Sequence, residues 1–282
     1  MKKKSLILSA LMAFAFMLGA GAQTPADSLA FVAADWNWQD LGKGARAGYA
    51  QIKMFDSVQS ISVVCYPARK YRTAIIHSPE EKCAPTDEIA NRYKAKIAAN
   101  GSYFNVKKLI PTTFFCQKHK LIAESDSKEL YRSNGVVARR RRCSKDIEIF
   151  YYDAKETGNY CKNYYEALAS GPVLVLGGES PSFPMEKSFY YLRHPRTFVG
   201  TADGMIYYVV IDGRFPGQAD GASIPETAAI ARYLGCTDAL NLDGGGSSTV
   251  WTEKTGVINH PYDNHKFDHE GLRSVPNILI AK

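Results

Sequence analysis

What this 282-residue sequence lacks narrows its chemistry early. There is no Cys-x-x-Cys pair and no His-x-His cluster, so the usual zinc and dithiol spacings are missing. The longest glycine run, Gly244-Gly245-Gly246, has the wrong spacing for a Walker loop and no Lys after it. No G-x-S-x-G nucleophile elbow occurs. Past residue 22, no stretch is apolar enough for the roughly 20 residues of a membrane span. Internal repeats, low-complexity linkers and nucleic-acid modules are also missing. The net charge of +7 therefore does not by itself imply nucleic acid.

What is present begins with a leader. Lys2, Lys3 and Lys4 precede the apolar run Leu6 to Leu18, and Ala20-Gly21-Ala22 follows in small-x-small order. This pattern predicts a signal peptide over residues 1–22, a chain starting at Gln23, and work outside the cytoplasm, periplasmic or extracellular. Residues 23–282 fit one domain, and 45% hydrophobic residues supply its core. Six cysteines (Cys65, Cys83, Cys116, Cys143, Cys161 and Cys236) are compatible with disulfides in that compartment, but their spacing selects no pairing.

The patterns predict a strand-rich α+β domain, with curved mixed or antiparallel sheets and helices packed against them. Ser60–Tyr66, Met205–Ile211, Val173–Leu176 and Ile278–Ile280 read as strands. Thr86–Tyr93 reads as a helix. So does Ile224–Leu234, opened by Pro225 and Glu226 and stopped by Gly235. Trp36 and Trp38 are placed to pin the lead-in onto the body. Arg139-Arg140-Arg141-Arg142 reads as the solvated turn of a hairpin between Val136-Val137 and Ile147–Phe150. Residues 23–95 carry no recognisable motif.

Three segments put polar groups and glycine beside buried strands, where loops tend to carry sites. The first contains Asn100, Gly101 and Ser102. The second runs from His194 through Arg196 and Thr197 to Asp212-Gly213-Arg214. If Ala202–Met205 is a hairpin turn, Arg196 and Asp212 share its open end. Arginine offers a planar fork of donors suited to phosphate or carboxylate. The third segment is Asn241-Leu242-Asp243-Gly244-Gly245-Gly246-Ser247-Ser248. Its glycines can bring backbone N–H groups to an anion. Asp243 can serve as acid, base, nucleophile or metal ligand.

Taken in order, these segments and Ser170-Gly171-Pro172, Glu226-Thr227-Ala228 and Arg273–Asn277 resemble the phosphodiester glycosidases. The resemblance spans residues 100–277. Leu272, before Arg273, stands where many relatives carry glutamate. The resemblance implies a hydrolase that converts a sugar-1-phosphodiester, such as a GlcNAc-1-phosphodiester, to free sugar and phosphomonoester. Asp243 is then the nucleophile or base, and Asp212 or Glu226 the acid. Substrate contacts fall to Asn100, Ser102, Ser170, Gly171, Arg196, Thr197, Arg214, Asn241, Gly244, Gly245, Gly246, Ser247, Ser248 and Arg273. Attack at phosphorus would make a divalent metal on Asp243 and Asp212 attractive. Two alternatives use the same residues: a non-catalytic binder of anionic envelope or extracellular polysaccharide, and a phosphodiesterase for polymer- or lipid-linked glycan phosphates. None of these readings calls for a nucleic-acid partner or for stable membrane insertion after leader cleavage.

Overall fold

The computed structural model describes residues 24–78 and 82–282, and the leader expected over 1–22 lies outside them. Three multi-stranded sheets dominate, all antiparallel in the described residues, with a few helices against them. The largest has seven strands: Asn37–Gly42, Ala45–Met54, Ser57–Pro67, Met205–Ile211, Arg196–Ala202, Asp238–Asn241 and Val173–Val175, in that spatial order. Residues without a recognisable motif thus build nearly half of the sheet that carries the later motifs.

The strand Ser57–Pro67 explains its own composition. Alternate side chains of a strand face opposite sides. Val64 and Tyr66 enter a core shared with the other two sheets, whereas Ile61 and Val63 enter a second core beneath helix Ile224–Tyr233. With both faces covered, Val63 to Tyr66 run apolar without a break, and the polar Gln59, Ser60 and Ser62 of the same strand are buried too.

That helix is set by its first turn. Ser223 Oγ accepts from Glu226 N at 3.3 Å, and Glu226 accepts from Ser223 N at 2.8 Å, a reciprocal capping box. Pro225 occupies the first turn, where no N–H is needed. Thr227 to Ala231 are buried against the sheet. Truncating the fully buried Ile230 to Ala would cost about 2–5 kcal/mol.

The lead-in contains a helix not expected from the sequence, Pro25–Ala33, capped by Thr24 and anchored by Asp27 Oδ1 accepting from Phe55 N at 2.7 Å. Trp36 stacks on Trp38 with 5.4 Å between rings, and Arg46 lies 4.4 Å over Trp38. The tryptophans pack against each other and the body.

The second sheet contains the expected hairpin, Gly135–Arg139 with Glu148–Tyr151, but its arginine run is not wholly solvated. Arg139 and Glu166 are each only 3% exposed and form a two-point ion pair at 3.0 and 2.7 Å. Glu166 Oε2 also accepts from Ile75 N at 2.8 Å, which ties this sheet to the third. The third sheet orders Gly256–Val257, Val250–Thr252, Ile97–Asn100, Asn277–Ala281 and Thr73–His77. Strand ends from all three sheets meet around residues 241–249. No helix among the described residues is long and apolar enough to cross a membrane.

Candidate active site

Two buried amides frame the site. Asn100 Nδ2 donates to the Asp243 carbonyl at 2.7 Å, while its Oδ1 accepts from Thr197 Oγ1 at 2.9 Å and Thr249 N at 3.0 Å. Asn241 Nδ2 donates to the carbonyls of Gly171 and Leu242, both at 2.8 Å, and meets the Tyr103 hydroxyl at 3.0 Å. Ser102 Oγ donates to the Ala169 carbonyl at 2.6 Å, and its N–H donates to Asn277 Oδ1 at 2.8 Å. Expected substrate contacts at Asn100, Ser102, Thr197, Gly171 and Asn241 are therefore engaged in holding strand ends together. A buried amide whose groups are nearly all paired fixes a loop with little freedom.

Each glycine of the loop is required by a different neighbour. A Cβ on Gly244 would lie 2.4 Å from the Pro195 carbonyl, and one on Gly246 would lie 1.9 Å from Asp263 Oδ1. Gly245 has φ +61°, and the Arg214 guanidinium covers it, 3.3 Å from the position of a Cβ. The N–H groups are less open than the sequence implied. Gly245 N donates to Pro195 O, Ser247 N to Gly244 O, Ser248 N to Gly245 O, and Gly244 N to Asp243 Oδ1. Four of the five N–H groups from Gly244 to Ser248 are thus paired within the protein, and the Arg214 and Arg273 guanidinium groups lie against the loop.

Asp243 sits at the mouth of this loop, partly exposed. Burial raises its carboxyl to about 6, opposed by the adjacent Ser247 hydroxyl, the charges of Arg132 and Arg273, and the Gly244 N–H. Desolvation thus outweighs the cations, leaving a carboxyl that titrates near physiological pH. Arg214 is exposed, has φ +68°, and lies 5.1 Å over the Tyr262 ring. It has no hydrogen-bond or ion-pair partner among the described residues. Its donors are therefore available to an anion. His194 is held neutral at pH 7 beside it: burial first, then the charges of Arg196 and Arg214, push the imidazole down to about 4.

Other expected residues are placed differently. Arg196 and Asp212 do share the open end of the hairpin, at paired Arg196 and adjoining Ile211, but they are not ion-paired. Arg196 is buried and donates to the carbonyls of Ala222, Phe189 and Leu192 at 2.9, 2.8 and 3.0 Å. Asp212 is saturated. Oδ1 accepts from His260 N at 2.9 Å and Asn259 Nδ2 at 3.2 Å, while Oδ2 accepts from Ser60 Oγ at 2.7 Å and meets His260 Nδ1 at 3.1 Å. Glu226 caps its helix and grips Arg193 with both oxygens. Neither carboxylate has the freedom expected of an acid that serves a substrate. Arg273 is tied to Asp263 at 2.8 and 2.6 Å. Ser170 Oγ, Ser248 Oγ and Asn241 Oδ1 are buried with no partner among the described residues. No three His, Cys, Asp or Glu side chains among those residues group as metal ligands.

Sequence reasoning missed Arg132. It lies 4.0 Å over the Tyr103 ring, pairs with Glu129 at 2.6 Å, and acts electrostatically on Asp243. No local pattern marks it. Its backbone is admitted by Gly171, where a Cβ would lie 2.4 Å from the Arg132 carbonyl.

A family model described as phosphodiester glycosidase matches residues 93–282. Among solved structures, the chain is similar to a hypothetical protein from Synechocystis at 13% identity and TM-score 0.66, covering 88% of this chain and 64% of that one. It is similar to the zebrafish N-acetylglucosamine-1-phosphodiester alpha-N-acetylglucosaminidase catalytic domain, auto-inhibited by its pro-peptide, at 18% identity and TM-score 0.66, covering 84% and 82%. A Burkholderia pseudomallei protein provisionally described as exported matches at 15% identity and TM-score 0.58, covering 79% and 74%. A search of curated proteins finds no match. At these identities the structural likeness establishes the fold, and the family follows from the model match over most of the sequence. This chain belongs to the phosphodiester glycosidase family.

Proposed function

We propose that this chain is an exported hydrolase that cleaves a sugar-1-phosphodiester to free sugar and a phosphomonoester, with Asp243 as its base. One observation carries the reading: a carboxyl raised to about 6 lies at a loop flanked by Arg132, Arg273 and the unpartnered Arg214. A base whose pKa lies near the working pH combines sufficient basicity with a populated charged form. Arg214 and Arg132 hold the phosphate oxygens and oppose charge that develops on them, on the order of 3 kcal/mol per well-placed donor. Water adds to the anomeric carbon, Asp243 takes its proton, and the carbon–oxygen bond breaks with its electron pair leaving on phosphate. A phosphomonoester leaves readily, because its second pKa is about 6. It needs less help from an acid than a sugar alcohol does. That removes the chemical demand for the acid role first expected of Asp212 or Glu226.

The test is release of N-acetylglucosamine from methyl GlcNAc-1-phosphodiester by residues 23–282, beside Asp243→Asn, in 18O-water and with or without chelator. Label in the sugar and loss of turnover in the variant support the reading. Label in the phosphate would move the attack to phosphorus, and loss on chelation would add a metal. Binding without turnover in either protein would favour the polysaccharide-binding alternative.

A further inference from the structure

Two adjacent glycines of the loop each carry an arginine. A Cβ on Gly245 would lie 3.3 Å from one terminal nitrogen of Arg214 and 3.5 Å from the other. A Cβ on Gly246 would overlap both the Arg273 guanidinium and Asp263 Oδ1. One dipeptide, Tyr262-Asp263, holds these two guanidinium groups in opposite ways. The Tyr262 ring lies beneath Arg214, 5.1 Å from guanidinium carbon to ring centroid. Asp263 grips Arg273 with both oxygens, accepting from Nε at 2.8 Å and from a terminal nitrogen at 2.6 Å.

The two modes leave different capacities for an anion. A two-point carboxylate neutralises its guanidinium and occupies part of the donor fork. An aromatic face orients a guanidinium through the ring quadrupole and claims no N–H. Arg132 already has Glu129 at 2.6 Å, and the buried Arg196 spends its donors on backbone carbonyls. Among the described residues, Arg214 is thus the guanidinium at the loop whose charge and donors are both unclaimed. Its backbone stands at φ +68°, a sparsely populated conformation for a residue with a Cβ. The ring beneath it is fixed in turn. Tyr262 meets Phe215 at 5.4 Å and His265 at 4.7 Å, and its carbonyl accepts from His265 N at 2.8 Å.

We propose that Tyr262 and Asp263 are positioning residues that divide these arginines between two tasks. Tyr262 presents Arg214 to the substrate phosphate, and Asp263 withdraws Arg273 from it. The loop then offers one uncompensated cation, matched to a phosphate of single negative charge, a diester in preference to a monoester. The inference rests on the phosphodiester reading above and supplies a physical basis for product release. Cleavage turns a monoanion into a monoester that approaches two negative charges near neutral pH. A single cation close to the Asp243 carboxylate retains that product less well than a fully open arginine pair would.

The experiment titrates the protein at pH 8 with dimethyl phosphate, a monoanion, and methyl phosphate, close to a dianion, by calorimetry. Melting temperatures accompany every variant. Tyr262→Phe keeps the ring and is expected to bind dimethyl phosphate as the parent does. Tyr262→Leu is expected to bind it about fivefold more weakly. Added to Arg214→Ala, Tyr262→Leu is expected to cause no further loss, because its effect passes through that guanidinium. Tyr262→Gln repeats the test should the leucine variant melt early. Asp263→Asn is expected to shift the methyl-to-dimethyl preference toward the dianion by about fivefold or more. Turnover of a GlcNAc-1-phosphodiester by Tyr262→Leu is expected to fall chiefly through KM. An equal loss in the Arg214→Ala background, or an unchanged preference in Asp263→Asn, would overturn the inference while leaving the hydrolase reading standing. So would failure of the parent to bind either phosphate while still cleaving the diester. Absence of cleavage by the parent would count against the hydrolase reading, and the titrations would still decide the roles of Tyr262 and Asp263.

Discussion

Two Asp-Gly corners lie close to each other, one at Asp212-Gly213 and one at Asp243-Gly244, and their carboxyls have opposite fates. Asp212 is 1% exposed and meets four donors from Ser60, Asn259 and His260. Asp243 accepts from the Gly244 N–H and lies beside Ser247, and burial raises its carboxyl to about 6. The same dipeptide at the end of a strand can thus be finished structure or unfinished chemistry. What separates them is how far neighbouring donors compensate for lost water. A saturated carboxylate orders the loops that meet it. Asp212 joins the strand leading to Arg214 with the segment that carries His260 and Tyr262. An under-compensated carboxylate retains capacity for a substrate or proton.

The sharpest way to break this comparison is to neutralise each corner. Asp243→Asn is expected to lower kcat by about 10³-fold or more with the fold intact, measured as sugar release beside circular dichroism. Asp212→Ala is expected to act on the fold first, costing about 3 kcal/mol in urea denaturation, because His260 and Asn259 lose a buried partner. If Asp212→Ala were fully stable and Asp243→Asn unfolded, the two assignments would be reversed. Arg214→Ala is expected to reduce kcat/KM by about 10²-fold with little change in melting temperature, since its guanidinium has no hydrogen-bond or ion-pair partner among the described residues and only lies over the Tyr262 ring.

pH sharpens the contrast further. The folded Asp243 carboxyl keeps its proton up to about pH 6, whereas an unfolded aspartate releases it near pH 4. Its charge therefore opposes folding, and stability declines as pH rises through that window. Asp243→Asn should be more stable than the parent at pH 8 by on the order of 1–2 kcal/mol, with the partial exposure discounted, and equal to it below pH 4. Turnover of the parent should rise through pH 6 as the base is freed. The smallest effect is expected from Glu226→Ala. Loss of its cap and its Arg193 pair should cost about 1 kcal/mol in thermal unfolding, with kcat retained. A loss of kcat comparable to Asp243→Asn would return Glu226 to the acid role.

Much of the fold was readable because its signals are local. Ser60–Tyr66 and Met205–Ile211 are β-branched and aromatic, and both are strands. Pro225 and Glu226 open the helix they were expected to open, and the structure adds Ser223 as its cap. Helices Pro25–Ala33 and Thr157–Asn163 were not foreseen, being short and fixed by what they pack against. The glycine loop was identifiable as a special backbone, since three consecutive glycines are destabilising in regular structure. Its openness to anions was misread, because which N–H groups remain free depends on where Pro195 and Gly101 place their carbonyls.

The sequence by itself determined the family and the strand-rich architecture, through periodicity and an ordered set of short motifs, and it marked out the glycine loop that follows Asp243. Tertiary structure alone decided how the charged groups divide. It paired Arg196 with carbonyls, Asp212 with His260, Glu226 with Arg193 and Arg139 with Glu166, and it brought the unmarked Arg132 to Asp243. The reason is physical. Secondary structure follows from neighbours along the chain, whereas a charge is set by burial and by partners tens to more than a hundred residues away, which no local pattern encodes.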